Sequence, residues 1–418
     1  MKGTRDILPD EVGAWHRVEQ AAHRLFARYG YREIRTPVFE ETQLFARGIG
    51  VDTDIVAKEM YTFPDRDEEK TSLTLRPEAT AGIVRAVIEH SLYQTDPALK
   101  VYALGPMFRR ERPQKGRYRQ FHQVDVEAFG MERASIDVEI IQVALDYLRG
   151  CGLADSQLIL NSVGDAKCRP AYVETLRAAL RAHRDELCAD CQRRTETNPL
   201  RVLDCKVPED QAIIESLPRI SDHLCAECRD HFAEVRRELE LLEIPYTLSH
   251  RLVRGLDYYT RTTFEVTSAA LGAQNSVLGG GRYDGLVRDL GGPDLCGIGF
   301  ALGMERLVML IPPVPGEPRC DAFLAVLAAG ALDRALLAQR ELRGAGVRVL
   351  MDHEGRGLKA QMKKADKLGA RYVAIMGEDE LAEDVWTVRD MTTSSQERVS
   401  GVKLAEYIEE KIRGRDAG

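Results

Sequence analysis

The chain has 418 residues, 44% of them hydrophobic and 30% charged, with a formal net charge of −8. That is the composition of a soluble globular protein too long for one compact core, so two or three domains are expected. No run of roughly 18 apolar residues is present to span a membrane, and the acidic balance excludes a general polyanion-binding coat, so any nucleic-acid contact must be a local patch.

The first residues, MKGTRDILPDEV, lack the apolar core of a secretory signal, and a cytoplasmic location is expected. Nine cysteines in such a chain favour reduced thiols, metal ligation or core filling over a disulfide framework.

Apolar residues at Trp15, Val18, Ala22, Leu25, Phe26 and Tyr29 have helical spacing and predict a helix over 12–29, stopped by Gly30. Residues 31–39 then predict a strand, with Pro37 at an edge or boundary. Further strands are predicted over 72–75, 100–104, 121–129, 158–162, 263–266 and 297–302. Short strands separated by loops point to a mixed or antiparallel sheet with helices on one side. Residues from about 165 to 248 are helical in pattern, charge-rich and hold six cysteines, which reads as an inserted module. Pro312, Pro313, Pro315 and Pro318 mark a stiff linker and a domain boundary. Beyond it, strands over 321–327, 347–351 and 372–376 alternate with helices over 332–344 and 358–368, the order of a small α/β domain.

Five stretches carry chemistry. FRRERPQKGRYRQF, residues 108–121, sets Arg109, Arg110, Arg112, Lys115, Arg117 and Arg119 against one acid, Glu111. Guanidinium groups on a loop suit phosphate oxygens, although a solvated charged hairpin has the same composition. FHQVDVE, residues 121–127, puts Phe121, Gln123, Asp125 and Glu127 on one strand face by period-two alternation. LRPEAT places Glu78 and Thr80 at a strand end. LVRGLDYYTRTTFE (252–265) and VLGGGRYDGLV (277–287) mix arginine, aspartate, paired tyrosines and three glycines, which a pocket for a small polar ligand needs and a plain core does not.

These two runs resemble the histidine-binding signatures of the histidyl-tRNA synthetases. The helix and proline-ended strand near the N-terminus, the arginine-rich run, and GIGFALGMER (297–306) are similar to the three class II synthetase signatures. The resemblance spans nearly the whole chain and implies a class II α+β catalytic domain over 1–318, interrupted by the module at 165–248, and an anticodon-binding domain over 319–418. It implies an ATP site using Arg109, Glu111, Arg117, Arg254 and Arg306, with Mg²⁺. It implies that Glu78, Thr80 and Gln123 hold the α-amino group of histidine, and that Glu127 and Tyr259 hold the imidazole. Ala79, Tyr258, Gly280 and Tyr283 complete that pocket. Arg254, opposite Arg109, is the main catalytic candidate, because joining a carboxylate to a phosphate requires fixed positive charge more than acid–base help. Ten basic residues between Arg334 and Arg371, against four acids, form a plausible footprint for tRNA. A homodimer and tRNA(His) are the implied partners.

One alternative is a non-catalytic paralogue acting as a regulatory subunit of ATP phosphoribosyltransferase, against which retention of Arg254 and of the final domain argues. Another is a tRNA-binding regulator without activation chemistry, which histidine-dependent ATP–pyrophosphate exchange separates from a ligase.

LCADC (Cys188, Cys191) and LCAEC (Cys225, Cys228) have the pair spacing of a tetrahedral Zn(Cys)₄ site, with Cys168 and Cys205 nearby. Four reduced thiols packing helix ends is the competing reading.

Overall fold

Strand Gln120–Phe129 shows how the first part of the chain is built. Val124, Val126 and Ala128 alternate into one large hydrophobic core, while Gln123, Asp125 and Glu127 point to the opposite face. Its antiparallel neighbour Gly297–Gly303 repeats the pattern. Ile298, Phe300 and Leu302 enter the same core, and small residues occupy the alternate positions. One face of the sheet is thus sealed by apolar packing and the other is hollow.

The computed structural model describes all residues but 51, 52, 54, 67–69, 115, 273, 274, 313–318, 417 and 418. Lys115 and the linker prolines Pro313, Pro315 and Pro318 lie outside the described residues. The chain divides into two compact units, Met1–Val314 and Pro315–Gly418.

The main sheet of the first unit has eight strands, in the order Arg32–Glu33, Lys100–Phe108, Gln120–Phe129, Gly297–Gly303, Ser276–Arg282, Thr260–Thr267, Gln157–Ser162, Tyr246–Leu248. The six central strands pair antiparallel, and each edge adds a short parallel strand. Helices Pro9–Arg28, Ala134–Cys151 and Ala226–Leu241 cover the apolar face. The first begins with Pro9, whose missing N–H costs nothing at a helix start, and the chain leaves it through Gly30 at φ +80°.

The strand expected over 31–39 is two pieces. Arg32–Glu33 joins the main sheet, and Phe39–Glu41 joins a three-stranded sheet with Ser72–Leu75 and Tyr61–Pro64. Pro37 has no N–H to donate and restricts Thr36, so the ladder breaks between them. Arg76 holds the break, donating to the carbonyls of Thr36 and Pro37.

Between Gln157–Ser162 and Tyr246–Leu248 the chain forms the helical module. Helices Arg169–Ala182, Ala189–Thr197 and Gln211–Ser216 and several 3₁₀ turns surround a small core of Tyr172, Leu176, Leu180, Val202 and Ile214.

The second unit is a five-stranded sheet in the order Val349–Met351, Ala322–Val326, Tyr372–Met376, Val385–Asp390, Gln396–Ser400. The first three strands are parallel and the last two antiparallel. Helices Leu332–Gly344, Leu358–Lys367 and Leu404–Asp416 accompany it. The class II-like fold and the small α/β unit are as the sequence implied.

Candidate active site

The hollow face of the main sheet opens into a cavity of about 790 Å³. Glycines create it. A Cβ on Gly299 would lie 1.7 Å from Glu127 Oε2, and one on Gly279 would lie 2.0 Å from an Arg254 guanidinium nitrogen. Their hydrogen side chains let a carboxylate and a guanidinium cross the sheet at contact distance.

Glu127 is the deepest acid in the cavity, 2% exposed. It accepts hydrogen bonds from Thr80 Oγ1 at 2.7 Å and from Tyr283 OH at 2.5 Å. Burial pushes its carboxyl up to about 8, only partly offset by those two hydroxyls. Glu78 is also buried, and both its oxygens accept backbone N–H bonds, from Thr80 at 2.8 Å and Ala81 at 2.9 Å. It sits at the N-terminus of helix Thr80–Glu89, where the helix dipole favours an anion. Burial still raises its carboxyl, against the pull of those amides.

Gln123 lines the same space, and its buried Oε1 has no hydrogen-bond partner among the described residues. A buried amide oxygen without a partner, on a residue that lines the cavity, is an acceptor a ligand N–H can satisfy. Tyr258 and Tyr259 lie with ring centroids 4.8 Å apart, and Tyr258 meets Tyr283 edge-on at 5.7 Å. Burial raises the Tyr259 hydroxyl to about 12, so it stays a donor.

The cationic part of the cavity is formed by Arg109, Arg117, Arg254 and Arg306. Arg109 is aimed by its Nε bond to the Pro77 carbonyl at 2.9 Å and by the Phe121 ring beneath it at 5.2 Å. Arg254 Nη1 contacts Glu265 Oε2 at 2.5 Å. Arg117 pairs with Glu111 at 3.1 Å, and burial raises the Glu111 carboxyl against that pairing. Arg306 donates to the Ser276 carbonyl at 2.6 Å.

The cavity therefore gathers Glu78, Thr80, Arg109, Glu111, Arg117, Gln123, Glu127, Arg254, Tyr258, Tyr259, Tyr283 and Arg306 from distant parts of the chain. Ala79 and Gly280 stand beside the lining and not in it. Ala79 is the N-cap of helix Thr80–Glu89 and packs in a hydrophobic cluster. A Cβ on Gly280 would meet Phe264 and Phe300 on the apolar side of the sheet, so Gly279 is the glycine that faces the cavity. Glu78 and Thr80 lie at a helix start and not at a strand end.

The sequence did not disclose several further groups. Arg201, Asp204 and Lys206 of the inserted module, and Arg251 and Glu265, also line the cavity. Arg282 is fully buried and pairs with buried Asp137, which His231 also contacts at 2.8 Å. This network anchors the end of the glycine-rich strand. Its one visible sign is an arginine inside GGGRYDG, but the partner lies 145 residues away.

The cysteines do not form one Zn(Cys)₄ site across the two CxxC pairs. Cys188 and Cys191 gather with Cys205 and Asp210, and Cys225 and Cys228 with Cys168 and Asp165. The fold carries each pair to a different third cysteine.

The family profile described as Histidyl-tRNA synthetase matches residues 3–307, and that described as Anticodon binding domain matches residues 308–411. The chain belongs to the histidyl-tRNA synthetase family. It is thereby an aminoacyl-tRNA synthetase, a ligase of protein biosynthesis with a class II catalytic unit. A histidine–tRNA ligase of Koribacter versatilis is 52% identical over 98% of this chain and 95% of its own length. One of Syntrophotalea carbinolica is 50% identical over 99% of both chains. The crystal structure of apo Staphylococcus aureus histidyl-tRNA synthetase superposes with a TM-score of 0.81 at 38% identity, covering 98% of this chain and 99% of that one. A structure titled as an ATP phosphoribosyltransferase regulatory subunit/histidyl-tRNA synthetase, from Bacillus halodurans, shares the fold with a TM-score of 0.63 at 21% identity, covering 87% of this chain and 95% of that one. The full-length relatives span both units and favour the ligase over the regulatory paralogue. No described helix is long and apolar enough to cross a membrane.

Proposed function

We propose that this histidine–tRNA ligase runs both its reactions at the one cavity, with acidic and amide groups holding histidine and arginines holding ATP. The observation that carries the division is the juxtaposition of buried Gln123, whose Oε1 has no partner among the described residues, and buried Glu127 with Arg109 and Arg254 around a single space. In the first reaction a histidine carboxylate oxygen attacks the α-phosphorus of ATP. A P–O bond forms, the bond to the bridging oxygen breaks, and pyrophosphate leaves. In the second, a hydroxyl at the 3′ end of tRNA(His) attacks the adenylate carbonyl and AMP leaves.

Glu78, Thr80 and Gln123 offer acceptors to the α-ammonium group, and Glu127 and Tyr259 face the imidazole. A buried acceptor left without its partner rejects an apolar side chain by roughly 10⁴–10⁵. Arg109 and Arg254 stabilise charge on the α-phosphate, and Arg306 and Arg117 hold the rest of the nucleotide. Glu111 is placed for the adenine amine. Mg²⁺ enters with ATP as part of the substrate, and Glu265 and Glu111 are among the carboxylates that line the cavity.

The catalytic part is read as residues 1–318, with the module at 165–248, and the anticodon-binding part as 319–418. A homodimer fits Val38, Phe39 and Phe63, large apolar side chains left exposed on the first unit. A cytoplasmic location follows from the substrates.

The test is histidine-dependent ATP–pyrophosphate exchange. Arg254→Ala is expected to lower it by about 10²–10³, the usual cost of one fixed transition-state donor, with the thermal transition unchanged. Near-normal exchange refutes the role given to Arg254.

A further inference from the structure

The inserted module contains two cysteine clusters that the ligase reaction does not use. We propose that each is a separate zinc site with three thiolates and one carboxylate, so that the chain binds two structural zinc ions: one on Cys188, Cys191, Cys205 and Asp210, the other on Cys168, Cys225, Cys228 and Asp165.

The local geometry is the same in both. The first cysteine of each CxxC is a helix N-cap with extended backbone, Cys188 at φ −60°, ψ 157° and Cys225 at φ −64°, ψ 165°. The second lies in the first turn of that helix, Ala189–Thr197 or Ala226–Leu241. Both sulfurs then face one point near a helix N-terminus, where partial positive charge favours thiolates. The third cysteine arrives from another element. Cys205 follows the 3₁₀ turn Pro199–Asp204, and Cys168 caps helix Arg169–Ala182.

In each cluster all four ligand atoms lie within 4.8 Å of one another. Zn–S bonds of about 2.3 Å at tetrahedral angles put sulfurs about 3.8 Å apart, and a carboxylate oxygen about 3.5 Å from a sulfur. Cys188 Sγ and Cys205 Sγ are 4.0 Å apart. Cys205 Sγ is 3.3 Å from Asp210 Oδ2, and Cys168 Sγ is 3.5 Å from Asp165 Oδ1. The carboxylates are aimed. Asp210 Oδ1 accepts the Cys188 N–H at 2.9 Å, leaving Oδ2 toward the thiols. Asp165 Oδ1 accepts the N–H groups of Lys167 at 2.9 Å and Cys168 at 3.3 Å. Three soft sulfurs and one oxygen within 4.8 Å of one another suit four-coordinate zinc, which with all four bound would leave no open position for a substrate.

Each site braces the wall of the catalytic cavity. Arg169, next to Cys168, donates to the carbonyl of Tyr259 and, at 3.0 Å, to that of Gly164. The carbonyl of Cys205 accepts from Arg251, itself a cavity residue, at 3.3 Å. Between these anchors the module has short helices and a small core, the situation in which a metal supplies what packing does not.

The experiment is metal analysis of the full chain, purified under thiol reductant without chelators, incubated with Zn²⁺ and desalted. Two zinc ions per chain are expected, with one remaining in Cys188→Ser, one in Cys225→Ser and none in the double variant. Should a variant misfold, cobalt(II) titration of the unaltered chain still decides. Saturation at two equivalents with thiolate charge-transfer and tetrahedral ligand-field bands is expected. Zero or one equivalent overturns the proposal. So does a zinc-free chain with two CxxC disulfides, seen as four missing thiols when unreduced denatured protein is titrated. The count does not depend on exchange activity, so it stands or falls apart from the proposed function.

Discussion

Glu127 holds a proton at neutral pH that most carboxylates have given up. Its surroundings are the cause: burial disfavours the charge more than Thr80 and Tyr283 favour it, so its carboxyl sits at about 8 instead of 4.5. The folded protein thus binds a proton there that the unfolded chain releases. The stabilisation is full below the ordinary carboxyl value and is lost as pH rises through about 8. The melting temperature of the unliganded protein is expected to fall between pH 6 and 8.5, and Glu127→Gln, which has no proton to lose, should flatten that slope. Parallel slopes in the two proteins would remove Glu127 as the cause. In the proposed histidine site an imidazole N–H donated to Glu127 would favour the ionised form, so binding at pH 7 should expel a proton, measured as a buffer-dependent heat. A neighbour reinforces the effect. Asp125 is fully buried, and no hydrogen bond to its carboxylate is found among the described residues. Burial and then Glu127 push its carboxyl well up.

At the scale of the element, the cavity exists because two adjacent strands carry glycine where their side chains would fill it. Gly299→Ala would set a methyl group 1.7 Å from Glu127 Oε2 and 2.4 Å from the Val126 carbonyl. The carboxylate can swing away but the backbone cannot. If Glu127 is the imidazole acceptor proposed above, its displacement by about 1 Å should cost about 10²-fold in histidine-dependent exchange, with the KM for histidine raised. Exchange within a few-fold of the parent would show that the strand yields. This part of the site was half legible. Period-two alternation does put Gln123 and Glu127 on one face, because both faces of that strand are buried with opposite chemistry. It could not say which glycine of Gly279–Gly281 faces the cavity, since a register shift between Ser276 and Leu278 sends both Val277 and Leu278 into the core and breaks the alternation ahead of them. Nor could it join Arg282 to Asp137, or Cys205 to Cys188 and Cys191, because long-range closure leaves no periodic trace. The inserted module was visible by texture, but its reach into the cavity through Arg201, Asp204 and Lys206 was not.

Across the whole molecule the charge is negative, so tRNA must be met by local cations. The basic stretch at 334–371 is less available than its sequence suggests. Arg348 pairs with Asp321, Arg356 and Lys364 pair with Asp352, and Arg334 lies 3.5 Å from Asp384. Those contacts engage the cations within the second unit. Arg340 and Arg343 stay exposed on helix Leu332–Gly344, and Lys359, Lys363 and Lys367 are exposed and four residues apart along helix Leu358–Lys367, so these three form one stripe. Such a stripe matches a phosphate backbone and carries no base specificity. Replacing all three with Glu should raise the KM for tRNA(His) at least ~10-fold. Losing about three phosphate contacts should also flatten the dependence of log affinity on log salt by about two, at roughly 0.7 per contact on single-stranded RNA. Pyrophosphate exchange needs no tRNA and should stay at the parent level, because the first unit contains the entire cavity. Unchanged charging kinetics at low salt would assign the stripe to solvent and move the tRNA footprint elsewhere on the chain.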